Sequence, residues 1–212
     1  MYLALHKINS TEITNLLSKF NINIVELNKK RPSLKIRRIA ALAITRHLLV
    51  TSGVLSAIDA ELVEIKHQKS GQPFLKHPIK QIQMVISISH SGNWIACLLS
   101  NPDNPAGIDL EDSSIPRQYE KLAKHFFSDE ESKFVEKTGS TGFYRLWTAK
   151  EAIAKCKGQG LSEVLKIDLG QQLDKLNPDQ LFNIIIGDED YYISQHFQDD
   201  GLIYSIAAKF PF

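Results

Sequence analysis

Residues 101–111 read Asn101-Pro102-Asp103-Asn104-Pro105-Ala106-Gly107-Ile108-Asp109-Leu110-Glu111. The first five, with two prolines and two asparagines, form a linker. The last five alternate in the manner of a short strand. A charge seam falls at the same place. Residues 1–106 carry 13 Lys and Arg against 6 Asp and Glu, a balance of +7. Residues 107–212 carry 12 against 18, a balance of −6. The whole-chain charge of +1 conceals this split. We therefore read the 212 residues as two halves, 1–105 and 106–212. On a strand, Asp109 and Glu111 point to the same face, about 7 Å apart along the chain. Two such carboxylates repel unless a cation or shared proton offsets the charge. Mg²⁺, which is held by carboxylates and phosphate oxygens, is one solution; a strand edge with solvated acids is the other.

Outward from the seam, the composition is that of a globular protein, with 43% hydrophobic and 23% charged residues. Cys97 and Cys156 are far apart and form no C-x-x-C pair, so they read as reduced structural thiols. The N-terminus lacks the basic and apolar regions of a signal peptide, and no apolar run approaches the ~18 residues of a membrane span. These features predict a cytoplasmic protein with no membrane association.

In the first half, residues 1–8 predict a strand and Ser10 or Thr11 caps a helix to Lys19. A second helix follows Pro32, with Ile36, Ile39, Ala40, Ala43, His47 and Val50 at helical spacing. A shorter helix is expected at Val54–Val63, then a turn at 69–73. Strands are expected at 82–88 and 94–99, separated by a Ser89-His90-Ser91-Gly92 turn. In the second half, Gly107–Glu111 is a strand and Arg117–Phe126 a helix. Ser128 and Glu131 carry the capping-box signature for a helix over 129–136. A long helix covers Thr141–Lys157, and strands follow at 163–168, 181–186, 191–197 and 202–208. Helices followed by antiparallel strands in each half predict an α+β fold.

Three further constellations bear chemistry. Trp147, Glu151 and Lys155 lie four apart on one helix face, as either a solvent-facing ion pair or a half-buried site wall beside the indole. Ser89, His90 and Ser91 offer donors to phosphate oxygens, although a histidine in a turn is commonly just exposed. Leu27 to Ile58 contains no acidic residue while carrying Lys29, Lys30, Arg31, Lys35, Arg37, Arg38 and Arg46. That stretch is a phosphate-binding patch or a solvated helix face.

Taken together and in order, these pieces resemble the Sfp-type 4′-phosphopantetheinyl transferases over residues 30–165. Gly107-Ile108-Asp109-Leu110-Glu111 is similar to the family's G-I-D-I-E element, and Phe126-Phe127-Ser128-Asp129-Glu130-Glu131 to its F-F-S-x-x-E. Trp147-Thr148-Ala149-Lys150-Glu151-Ala152 with Lys155 is similar to its W-(S/T)-x-K-E-(A/S)-x-x-K, and Ser89-His90-Ser91 precedes them. The resemblance implies a monomeric pseudo-dimer of two similar halves with coenzyme A in the cleft between them. It implies Mg²⁺ on Asp109, Glu111 and Glu151. Glu131 resembles a residue that assists deprotonation of the attacking serine, in competition with its capping role. Lys155 resembles a phosphate contact and leaving-group acid. Ser89 and His90 resemble ligands of the nucleotide phosphates, and Lys150 is either a phosphate contact or one half of a helix-face ion pair.

Gly71-Gln72-Pro73 departs from the family's Gly-Lys-Pro, so Gln72 replaces a charge with an amide. Arg31, Arg38 and Arg46 are the arginine candidates for coenzyme A, Arg46 foremost. The implied activity is Mg²⁺-dependent transfer of 4′-phosphopantetheine from coenzyme A to a serine of an apo acyl or peptidyl carrier protein, releasing 3′,5′-ADP. The alternative is a non-catalytic coenzyme A or nucleotide-binding protein that keeps the fold. A nucleic-acid partner is disfavoured by the acidic second half.

Overall fold

A computed structural model describes residues 1–22, 32–160, 167–176, 180–198 and 200–212. Arg31 and most of the expected 163–168 strand lie outside the described residues. The chain divides into two compact units, Met1–Asp103 and Asn104–Phe212, each a mixture of helix and antiparallel sheet. No helix among the described residues is long and apolar enough to cross a membrane.

The first unit runs β1 (Tyr2–Lys7), α1 (Thr11–Lys19), α2 (Leu34–Thr51), α3 (Ala57–Ala60), β2 (Glu64–His67), β3 (Pro73–Lys76), β4 (Val85–Ser91) and β5 (Trp94–Ser100). Its sheet has the order β1-β5-β4, all antiparallel, and β2 and β3 form a separate hairpin. Ser10 and Ser33 start α1 and α2 by accepting the Ile13 and Ile36 amides, satisfying donors that a helix end leaves open. Ala40, Ala43 and Ile44 of α2 then pack on Ile86, Ile95, Cys97 and Leu99.

Two expectations are corrected in this unit. The helix over Val54–Val63 shortens to Ala57–Ala60, where Ser56 caps its start by accepting the Asp59 amide, and β2 pairs with β3 from Glu64 onward. Strands of four residues carry too little alternation to be read in advance. The Ser89-His90-Ser91 turn is also strand: β4 continues to Ser91, which pairs with Trp94. Only Gly92 and Asn93 turn, with Gly92 at φ 56.

The second unit runs β6 (Ala106–Asp112), α4 (Tyr119–Phe126), α5 (Asp129–Cys156), a 3-10 turn (Gly170–Lys175), β7 (Leu181–Ile186), β8 (Glu189–Phe197) and β9 (Leu202–Ala208). The sheet order is β6-β9-β8-β7, again antiparallel throughout. In both units the opening strand pairs with the closing strand, whose other neighbour is the strand before it.

The two helices expected over 129–136 and 141–157 form α5, broken at Gly139. Its backbone there (φ 69, ψ −153) is a conformation that side chains disfavour. Ser128 and Glu131 close a complete capping box at the start. Phe143, Leu146, Ala149 and Ile153 of α5 pack in one core with Ile184, Tyr191, Ile193 and Ile203 of the sheet.

Candidate active site

Gly107 sets how closely α5 approaches β6. A Cβ placed there would lie 2.1 Å from the Ala152 carbonyl oxygen and 2.4 Å from the Cys156 amide nitrogen. Only a residue without a side chain admits the helix at this depth. Strand alternation then points Asp109 and Glu111 to the same helix-facing side. Both carboxylates are largely buried.

Lys155, one turn beyond Glu151, donates from Nζ to Asp109 Oδ1 at 2.7 Å. The expected partner was Glu151, four residues back on the same helix; the ammonium bonds the strand acid instead. Arg117, just before α4, donates from Nη2 to Glu111 Oε2 at 2.7 Å. Glu151 completes the acidic group. Burial raises its pKa most, the Asp109 and Glu111 charges raise it further, and Lys155 only partly opposes them, so it stands at about 7.

The cluster sets three carboxylates against two cations, and the rise at Glu151 comes first from its burial and then from the neighbouring acid charges. All the acid donors are hard oxygens, the kind Mg²⁺ takes. As the side chains stand, no three His, Cys, Asp or Glu groups among the described residues close around a cation. Lys155 instead lies on Asp109. Its side chain is 28% exposed, so the ammonium has room to leave. The donor chemistry therefore fits a divalent cation that replaces Lys155 as the partner of Asp109.

Trp147, on the same helix four residues before Glu151, is half-buried and packs on the aromatic side of the second unit's core. It stacks on Phe143 at 5.6 Å and meets Phe126 edge-on at 5.8 Å, tying the end of α4 to α5.

Glu131 and Lys150 are drawn away from the site. Glu131 is fully buried, and Lys150 Nζ donates to its Oε2 at 2.6 Å. The same oxygen accepts the Ser128 amide, and Oε1 accepts the Leu169 amide at 2.8 Å. Lys150 also lies 4.6 Å from the Phe127 ring centre. Burial pulls the Lys150 pKa down while Glu131 opposes the shift. Both its oxygens are bonded in the interior, which supports its capping role, and Lys150 is its ion-pair partner.

In the first unit the basic candidates separate. Arg46 donates Nε and Nη2 to the Val63 carbonyl, at 3.4 and 3.0 Å, which ties α2 to the start of the β2 hairpin. Burial lowers its pKa. That bonding gives Arg46 a structural role in joining α2 to the chain before β2. Arg38 is exposed on α2, and Gln72 is half-buried in the turn between β2 and β3. Ser89 and His90, expected as one set, face opposite sides of β4 by strand alternation. Ser89 is buried, whereas His90 is exposed on the α2 side. There Arg37 donates from Nη1 to His90 Nδ1 at 2.9 Å and from Nη2 to the Gly92 carbonyl at 3.1 Å.

Arg117 was absent from the candidates read in the sequence, and Arg37 figured there only as one member of the basic stretch. Arg117 had a readable signal, since it stands six residues after Glu111, just before a helix. Arg37 was one of several basic residues, and nothing local set it apart from Arg38.

The family model of the 4′-phosphopantetheinyl transferase superfamily matches residues 105–207. The 4′-phosphopantetheinyl transferase Sfp of Bacillus subtilis is 34% identical over 131 residues, 59% of this chain and 55% of the relative. The 4′-phosphopantetheinyl transferase HetI of Nostoc sp. is 30% identical over 111 residues, 50% of this chain and 46% of the relative. A putative 4′-phosphopantetheinyl transferase of Haemophilus influenzae is 31% identical over 136 residues, 62% of this chain and 54% of the relative. The chain spans about half the length of the curated relatives it matches.

Proposed function

We propose, from the match of residues 105–207 to the family model of the 4′-phosphopantetheinyl transferase superfamily, that the chain transfers 4′-phosphopantetheine from coenzyme A to a serine hydroxyl of an apo acyl or peptidyl carrier protein. The observation that carries this reading is the joining of Asp109, Glu111, Glu151 and Lys155 through β6 and α5, with Glu151 held near neutrality.

Asp109, Glu111 and Glu151 would hold Mg²⁺, which when bound offsets the charge of the coenzyme A pyrophosphate. Lys155, released from Asp109, holds its proton on Nζ and gives it to the departing 3′,5′-ADP oxygen. The serine oxygen–phosphorus bond forms as the phosphorus–oxygen bond to 3′,5′-ADP breaks. The serine proton passes to a general base, for which Glu131 stands as the candidate beside its capping and ion-pair bonds. In the first unit, Arg38, Arg46, Gln72, Ser89 and His90 are the nucleotide-binding candidates among the described residues. Catalysis is then chiefly positioning and electrostatics.

The shared strand order of the two units supports a further reading, that they are a duplication forming a monomeric pseudo-dimer. Absence of a membrane-crossing helix among the described residues is compatible with cytoplasmic carrier proteins as partners. Glu151→Gln keeps a neutral oxygen ligand and removes the carboxylate charge. It should reduce turnover at least a hundredfold while coenzyme A binding changes much less. Unchanged turnover would remove Glu151 from the metal-holding role. The alternative, a non-catalytic binder of coenzyme A, predicts binding without any mass gain on a carrier protein.

A further inference from the structure

The inference rests on the transfer reading above and concerns three buried polar side chains that it leaves unused. Asp109 of β6 lies opposite Ser205 of β9, and Ser205 lies opposite Gln195 of β8. Residues directly opposite share a face, so the three form a polar row on the side of the sheet that packs against α5. Their neighbours on that face are apolar, with Ile203 and Ala207 on β9 and Ile193 on β8. Ser205, Gln195 and Thr148 of α5 are fully buried.

Their hydrogen bonds run in one direction. Gln195 Nε2 donates to the Arg145 carbonyl at 2.7 Å and to Ser205 Oγ at 3.0 Å. Thr148 Oγ1 donates its proton to the Tyr144 carbonyl at 2.8 Å. In its 2.7 Å contact with Ser205 Oγ the serine is therefore the donor. Gln195, Ser205 and Thr148 thus tie β8 and β9 to α5 in the two turns before Glu151. Thr148, Ala152 and Cys156 are four apart and share one stripe of the helix. Gly107 meets the same stripe at the Ala152 and Cys156 backbone. Glu151 and Lys155 each stand one residue back, on a stripe rotated by about 100°. Gly107 sets the depth of α5, and apolar packing has no direction of its own. Stability alone is served about as well by apolar side chains of the same shape. What the buried bonds add is direction.

We infer that Thr148, Ser205 and Gln195 are positioning residues for the transfer: their bonds fix the rotation and height of α5 over the sheet, and so bring Lys155 and Glu151 to Asp109. Being fully buried, they act through those side chains.

The test uses the full chain and three variants. Thr148→Val and Gln195→Met keep the shape of the side chain, and Ser205→Ala loses a single oxygen. In variants that denaturant unfolding shows to be folded, kcat for transfer to an apo carrier protein should fall about tenfold or more. KM for coenzyme A and for the carrier should stay within about threefold of the wild type. Thr148→Val combined with Ser205→Ala should cost no more than either alone, because both break one chain of bonds. Crystal structures of the folded variants should show Lys155 Nζ drawn off Asp109 Oδ1, which it meets at 2.7 Å in the wild type. A role confined to stability predicts a lower unfolding midpoint with kcat unchanged. That result in the folded variants overturns the inference, as do additive losses in the double variant or a Lys155–Asp109 contact that stays in place. Failure of all three variants to fold would assign the bonds to stability and overturn it as well. If the wild type modifies no carrier protein, the transferase reading fails, and the Lys155–Asp109 contact in the variants alone decides this inference.

Discussion

A methyl group at position 107 would fall far inside van der Waals contact with the α5 backbone. Gly107→Ala therefore forces the helix outward and separates Lys155 from Asp109. We expect a loss of about 3 kcal/mol, at the upper end of overpacking costs, together with lost transfer, measurable by denaturant unfolding and a carrier-protein assay. Glu151 makes a second prediction at this scale. It titrates at about 7 in the fold against 4.5 for an ordinary glutamate, so between those values the folded state holds the extra proton. Stability should fall as pH rises through that window. Glu151→Gln, which does not titrate, should be less sensitive to pH there and more stable than the wild type above pH 7. Thermal melts across the window check this, and identical pH profiles would contradict it. The strand acids were legible in the sequence because alternation alone puts Asp109 and Glu111 on one face. Arg37 was not, because adjacent residues on a helix differ by about 100° in direction and only the packing of α2 reveals which one faces His90.

At the scale of elements, the buried Lys150–Glu131 pair joins the two segments of α5 on either side of Gly139 and fixes the chain at Leu169. Lys150→Met leaves a buried carboxylate without its ammonium and should cost about 3–5 kcal/mol. Adding Glu131→Gln should recover part of that loss, since the stranded charge is removed. A double-mutant cycle by denaturant unfolding measures both numbers, and additive effects would deny the coupling. The capping box itself was legible from Ser128 and Glu131 in sequence. The partner of Glu131 was not, because an ion pair 19 residues apart needs the bend at Gly139 to form. The β2–β3 hairpin escaped for a different reason, as its strands are too short to display a period. Ser89 and His90 were misplaced because a serine-rich sequence favours turns locally, while pairing with β5 carries β4 through to Ser91.

At the scale of the whole chain, the charge seam and the linker at 101–105 lie where the two compact units meet in sequence, Met1–Asp103 and Asn104–Phe212. The first-last-penultimate strand order of each unit was not readable, since identical residues do not repeat between them and antiparallel pairing partners leave no local mark. Metal dependence belongs to this scale too. Chelation with EDTA should abolish transfer and Mg²⁺ should restore it, since three carboxylates share one site with two basic groups. The central claim is tested most directly by mass spectrometry of apo carrier proteins incubated with the full chain, coenzyme A and Mg²⁺. The account predicts a gain of one phosphopantetheine group on the carrier serine, lost in Glu151→Gln. No gain on any of several acyl and peptidyl carriers, with coenzyme A bound, would contradict it.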